Sequence, residues 1–313
     1  MTRPRTFPRG KIDRIIDQLP GRIGVVVKDL STGEAFEHDP HGRYATASVF
    51  KLPIMVELFR QAEAGRVSLE DRHRPREGVS GVCGGHIRLA EDEPERSLRE
   101  YCLRMIALSD NLSTDLILDV IGLESVNATL DELGFVNTRV SMTIGRWHYT
   151  MVGLGETPIN AEHDRKAHER SRAGRVDLDS LSYRDSRANN VASAADMAVM
   201  LERIYRGELI SPEASSTMLE MLRACENRRM IPRHLDPSIA VAHKIGQSHH
   251  IRADVGIVFL PGRPLVISAL SFAMEEGEQR PGVDAIAGIS RAVVEALCPE
   301  AVFVRAGSEE RDR

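Results

Sequence analysis

Two hydrophobic rhythms alternate along this chain, and their order outlines a fold. Near the N-terminus, residues 23–28 (Ile-Gly-Val-Val-Val-Lys) form a β-branched run that reads as a strand. Asp29-Leu-Ser-Thr-Gly-Glu34 supplies turn residues, and residues 35–38 (Ala-Phe-Glu-His) return as its partner. From about residue 47 to 64 the period becomes helical, with Phe50, Ile54, Leu58 and Ala62 on one face. Gly65 stands where a C-terminal cap belongs, and Pro53 is tolerable because it falls in the opening turns. Helical spacing recurs at about 97–120, at 123–133 before Gly134, at 193–205 before Gly207, and at 212–223. Between 141 and 190 the periodicity fades. The charged stretch 164–175 there reads as an exposed loop, and Trp147 and Tyr149 either pack that loop down or wall a pocket. Strands return at 239–244, 253–260 and 265–272, the last two joined by the turn Pro261-Gly-Arg-Pro264. A final helix covers 283–297, and the polar tail 307–313 reads as frayed.

The order strands, helices, strands, helix predicts a mixed α/β (α+β) protein. One antiparallel sheet is built from both chain ends and flanked by helices, with an all-helical lobe inserted. The boundaries that follow are an N-terminal extension with a helix at 1–22, a single domain at 23–300 and a C-terminal tail at 301–313. Within the domain, 23–46 and 238–300 form the sheet lobe and 47–237 the helical lobe. No internal repeat is visible. The seam between two lobes is a natural place for a pocket.

Composition narrows the classes of function. With 313 residues, 42% of them hydrophobic, the chain buries a real core. A formal net charge of -5 gives no global attraction to nucleic acid or anionic lipid, so composition leaves a small molecule as the expected partner, with neither nucleic acid nor membrane. Oligomeric state is not readable. Cys83, Cys102, Cys225 and Cys298 form no C-x-x-C pair and read as reduced, mostly buried thiols. The spacings of His163, His168, His249 and His250 fit no zinc pattern, and no metal or cofactor is expected. The first ten residues carry charge with no apolar stretch behind them, which gives a cytoplasmic expectation, or a periplasmic or secreted one if the N-terminus is truncated.

Three short elements carry chemistry. Ser48-Val-Phe-Lys51 opens a helix, so its serine and lysine share a face, and the amine reaches the hydroxyl whose proton must leave before the oxygen is nucleophilic. Ser109-Asp-Asn111 places three poor helix formers inside a helical pattern. This suggests a turn between two helices, with a hydroxyl for proton relay and an amide for a substrate carbonyl. Lys244-Ile-Gly246 ends a strand, where a glycine permits close approach of an extended ligand. Singly, each also fits a plain surface Ser–Lys pair, an ordinary helix connection or an edge strand.

In this order the three resemble the S-x-x-K, S-D-N and K-T-G set of the class A β-lactamases and penicillin-binding proteins. The surroundings are similar too: Ser48-Val-Phe-Lys-Leu-Pro-Ile-Met55, Met105-Ile-Ala-Leu-Ser-Asp-Asn-Leu-Ser-Thr-Asp-Leu116, and His243-Lys-Ile-Gly246 followed by Asp254-Val-Gly-Ile-Val258. The likeness runs from about residue 24 to 297 and implies a β-lactamase/transpeptidase-like fold. It also implies that Ser48 attacks the acyl carbon with help from Lys51, that Ser109 passes a proton to the leaving nitrogen, and that Asn111 holds the substrate amide. Lys244 then supports Ser109 and faces a substrate carboxylate beside Gly246, and the N–H groups of Ser48 and Gln247 form the oxyanion hole.

Two departures bear on substrate. Ile245 lacks the hydroxyl of the usual threonine, a charged hydrogen bond of about 1.5–3 kcal/mol. The deacylating carboxylate, usually in Glu-x-x-Leu-Asn, has its nearest match in Glu156-Thr-Pro-Ile-Asn160. Glu156 is therefore the candidate base, though a plain turn residue also fits there, and Glu162 and Glu169 lack any pattern. His249, His250 and Arg252 follow the third motif closely enough to reach a pocket rim. The expected function is a serine acyl hydrolase acting on a β-lactam or related amide or ester. The alternatives are a D-alanyl-D-alanine peptidase-like enzyme, an intracellular esterase, amidase or acyl transferase, and a catalytically silent binding module.

Overall fold

A computed structural model describes residues 6–75, 82–83, 86–87, 93–274 and 279–303. The expected tail at 307–313 and the side chain of Cys83 lie outside the described residues. The main sheet has five antiparallel strands: β1 (Gly21–Asp29), β2 (Ala35–His38), β3 (Val241–Gln247), β4 (Ile251–Leu260) and β5 (Arg263–Ala273), in the order β2-β1-β5-β4-β3. Chain ends meet at its centre, where β1 pairs with β5 from Gly21↔Ala273 to Asp29↔Leu265. β4 pairs with β3 from Arg252↔Gln247 to Val258↔Val241, which leaves β3 on an edge.

Alternation along the strands sorts side chains to two covered faces. Val25, Val27, Ile267 and Ala269 meet Ile12 and Ile16 of helix α1 (Arg9–Asp17) and Ile289 and Val293 of helix α10 (Pro281–Leu297). Val26, Val255, Val266 and Leu270 face the helical lobe. Both faces being buried is why these strands read as near-continuous apolar runs.

At the centre of the helical lobe is α2 (Lys51–Glu63), whose Leu52, Ile54, Met55 and Leu58 are fully buried. The single helical pattern expected at 97–120 is two helices, α3 (Leu98–Ala107) and α4 (Asn111–Ile121), with Ser109 and Asp110 in the break. α3 starts with a capping box in which the Ser97 hydroxyl accepts from Glu100 N–H and the Glu100 carboxylate accepts from Ser97 N–H. α5 (Leu123–Glu132) follows.

The interval 141–190, where sequence periodicity fades, is not a long loop. It holds α6 (Ile144–Met151) and α7 (Ala161–Arg172). The charged stretch expected as a loop is mostly α7. The Asn160 side chain caps its first turn by accepting from His163 N–H, Glu162 and Asp164 sit at its positive end, and Arg170 and Arg172 at its negative end. Only Asp164 and Ala167 are buried, so there is no apolar stripe to detect. Tyr149 Oη donates to Asp164 Oδ1 over 2.9 Å and ties α6 to α7. α8 (Ala194–Arg206) and α9 (Pro212–Arg223) complete the lobe. Among the described residues no helix is long and apolar enough to cross a membrane.

Candidate active site

A cavity of ≈ 460 Å³ opens where the lobes meet, lined by the start of the nucleophile helix, the α3–α4 break, α6, the loop after α9 and the β3 edge. Ser48 stands on a 3-10 turn, Ala47–Phe50, that runs directly into α2. Residues three apart eclipse in a 3-10 turn, which puts Ser48 and Lys51 on one side. Entry to the turn is strained: Ala47 has φ 42°, in the left-handed region. Two hydrogen bonds onto the Asn190 carbonyl hold that entry, from Thr46 N–H at 3.1 Å and Thr46 Oγ1 at 3.0 Å.

Lys51 is fully buried. Its Nζ lies 2.7 Å from Ser109 O, 2.7 Å from Asn111 Oδ1 and 3.3 Å from Ser109 Oγ. Ser109, at φ 58°, turns its hydroxyl back between two lysines, since Lys244 Nζ also donates to Ser109 Oγ over 2.9 Å. The other Lys244 contact is its own strand, Ile245 O at 2.8 Å. Burial lowers the Lys244 ammonium to about 8. The structure thus brings Ser48, Lys51, Ser109, Asn111, Lys244 and Gln247 to one cavity.

Gly246 packs against the nucleophile turn. A Cβ there would stand 2.2 Å from Thr46 O, 3.1 Å from Val49 N and 3.2 Å from Ser48 N. The space of the missing side chain is filled by the nucleophile turn. This packing sets Gln247 beside Ser48, whose N–H belongs to a first helical turn and so has no helix carbonyl to take it.

Glu156 does not reach the cavity. It is an exposed turn residue between α6 and α7, and Asn160, the end of its motif, is the α7 cap. Of the residues expected near the rim, none of His249, His250 and Arg252 lines the cavity. The His250 ring packs on Phe272 at 6.1 Å, and Arg252 donates to the Ser248 and Ile251 carbonyls. Trp147 and Tyr149 are buried helix residues, and Trp147 also walls the cavity. Ile245, 5% exposed, is an apolar wall where the family's hydroxyl would stand.

Several site groups escape sequence reading. His148 of α6 lines the cavity, partly exposed, with Nδ1 2.9 Å from Ile144 O. That carbonyl accepts, so Nδ1 carries the proton and Nε2 keeps its lone pair. Burial lowers the imidazole to about 4, aided by the charge of Lys51 and opposed by the Ile144 bond. α6 itself is held by Asp115 of α4, whose carboxylate accepts from Ile144 N–H at 2.7 Å and Gly145 N–H at 2.9 Å. Burial raises Asp115 to about 6 against those two donors and Lys51. The loop after α9 adds exposed Arg228, Arg229 and Glu226 to the lining. Among the described residues no group of three or more His, Cys, Asp and Glu is arranged to hold a metal ion.

A mixed sheet-and-helix fold with Ser48, Lys51, Ser109 and Lys244 converging on one cavity is the arrangement of a serine β-lactamase or penicillin-binding-type hydrolase. Comparison bears this out. A model of the beta-lactamase enzyme family matches residues 8–297, and the chain belongs to that family. It is 22% identical over 285 residues to a beta-lactamase of Rhodobacter capsulatus, covering 90% of this chain and 86% of that protein. Among solved structures it is similar to a beta-lactamase from Sphaerobacter thermophilus, with a TM-score of 0.72 at 24% identity over 93% of this chain and 98% of that one. A mutant of PBP-A, solved as its acyl-enzyme complex with penicillin G, matches with a TM-score of 0.72 at 22% identity over 94% and 98% of the two chains.

Proposed function

We propose that this protein hydrolyses a carboxylate-bearing β-lactam, or a related amide or ester, through an acyl-enzyme on Ser48. The observation that carries the reading is Ser109 Oγ set between Lys51 Nζ at 3.3 Å and Lys244 Nζ at 2.9 Å, in the cavity that Ser48 lines. Lys51 Nζ, anchored on Ser109 O and Asn111 Oδ1 and on the same side of the turn as Ser48, takes the proton of the Ser48 hydroxyl. Ser48 Oγ then attacks the acyl carbon while the Ser48 and Gln247 N–H groups take the oxyanion. The Ser109 hydroxyl hands its proton to the leaving nitrogen and is resupplied from the lysines. Lys244, Arg228 and Arg229 make the cavity attractive to a carboxylate, which offsets the hydroxyl that Ile245 lacks.

Water activation for deacylation falls to His148, the neutral cavity base with a lone pair on Nε2. A second reading, a penicillin-binding-type protein with a lasting acyl-enzyme, is favoured by Glu156 lying outside the cavity. Intact mass after mixing with a chromogenic cephalosporin and with a fluorescent penicillin, beside Ser48→Ala, decides between them. A Ser48-dependent adduct that clears while substrate turns over supports hydrolysis, and a lasting adduct supports the second reading. Absence of any adduct with both compounds sinks the β-lactam assignment.

A further inference from the structure

The loop after α9 brings Arg228 and Arg229 to the cavity. Neither guanidinium is paired with a carboxylate among the described residues, so the backbone of the loop decides where the two charges stand. Two anchors hold that backbone. At its start, Glu226 N–H donates to Ala107 O of α3 at 3.3 Å. At its end, Ile231 is fully buried and gripped from two sides. Its N–H donates to Asp254 Oδ2 of β4 at 2.9 Å, and its carbonyl accepts from Ser290 Oγ of α10 at 2.8 Å. In between, Arg229 N–H donates to Asn227 Oδ1 at 3.0 Å, which shapes the turn without tying it to the rest of the protein. The Asp254 anchor is itself held. Its Oδ1 accepts from His243 Nδ1 of β3 at 2.8 Å, and both side chains are buried. Gly256 of β4 makes room for the imidazole, since a Cβ there would stand 2.4 Å from His243 Cβ. One carboxylate therefore gives one oxygen to the strand that carries Lys244 and the other to the loop that carries the arginines. A buried polar pair of this kind adds little net stability, because desolvation offsets its attraction, so its contribution is sought in what it fixes in place.

We propose that Asp254 and His243 are positioning residues for substrate recognition: they lock the end of the arginine loop to β3, so that Arg228 and Arg229 stand preorganised for the carboxylate of the substrate. This rests on the reading above that the cavity takes a carboxylate-bearing substrate. Neither residue touches the reacting atoms. Their effect passes through Ile231 N–H, and it falls on affinity for an anion while uncharged ligands bind as before. Asp254→Asn isolates the link, because the amide keeps the shape but offers one oxygen to two donors, Ile231 N–H and His243 Nδ1.

The test is calorimetric titration of the full chain carrying Ser48→Ala with N-phenylacetylglycine, an amide with a free carboxylate, and with its uncharged counterpart N-phenylacetylglycinamide. The acid is expected to bind about tenfold tighter than the amide, as a charge-assisted contact provides. Adding Asp254→Asn is expected to weaken the acid about tenfold and the amide less than about twofold. With Arg228→Ala and Arg229→Ala already in place, Asp254→Asn is expected to weaken the acid by less than about twofold, the non-additivity of groups that act through one another. Three results overturn the proposal: acid and amide bound alike by the Ser48→Ala chain, equal weakening of both by Asp254→Asn, or an undiminished effect of Asp254→Asn without the arginines. If Asp254→Asn does not fold, Ser290→Ala removes the other grip on Ile231 and is expected to weaken the acid alone by about threefold. No acid-selective loss in that variant overturns the proposal equally. Because binding is read without Ser48 and without any β-lactam, its failure and the failure of the hydrolase reading are separate results.

Discussion

In the proposed reaction, deacylation turns on His148. Replacing it with alanine is expected to leave acylation within about threefold while deacylation falls roughly 10²–10⁴-fold, the usual contribution of a positioned base. The adduct would then accumulate, and stopped-flow absorbance with mass spectrometry at timed quenches separates the two rates. In contrast, Glu156→Gln is expected to change turnover by less than about twofold, because that carboxylate faces solvent. The pH profile carries two signs. His148 accepts a proton only when neutral, and with its imidazole lowered to about 4 the acid limb of kcat belongs near pH 4, well below that of a free histidine. Lys244 holds a substrate carboxylate only as an ammonium, so with its value lowered to about 8 the kcat/KM for an anionic cephalosporin falls as pH rises past 8. A kcat limb near 6.5 would remove His148 from the role. At this scale Ser48, Lys51, Ser109, Asn111 and Lys244 are legible in the sequence because each motif is local and the order of the three is specific. His148 is not, since its chemistry exists only after α6 has been held against α4 by Asp115.

Elements place these residues more tightly than a strand-and-helix reading suggests. Gly246 is the joint at which the edge of β3 rests on the nucleophile turn. Gly246→Ala forces a methyl group against Thr46 O, and overpacking of this kind costs about 1–3 kcal/mol. The expected result is a melting temperature several degrees lower, with acylation lost beyond what the stability change explains, as calorimetry beside acylation rates would show. α6 depends on Asp115 in a similar way: one carboxylate gathers the first two N–H groups of the helix that carries His148. Asp115→Asn is expected to slow deacylation more than acylation, a split that general destabilisation would not produce. That α6 and α7 were invisible as helices has a physical cause. α7 is held by capping, by charges complementary to its dipole and by the Tyr149–Asp164 bond, and none of these leaves an apolar period in the sequence.

At the scale of the whole molecule, the sheet that backs the site is assembled from residues at opposite ends of the chain, an arrangement visible in the sequence because both sets of strands are near-continuous apolar runs. Gly21 pairs with Ala273, 252 positions later (273 minus 21). On a ribosome adding about 5–20 residues per second, β1 would wait roughly 13–50 s for its central partner to be made. During that wait Val25, Val26 and Val27 and the unpaired side of β1 are available to other chains, an aggregation hazard set by the order of synthesis rather than by the finished fold. Nascent chains stalled before β5 should therefore be cut by protease within β1, and released full-length chains should not. Protection of β1 in the stalled chains would mean that the helical lobe shelters it first. Biosynthetic timing thus becomes a property of this protein.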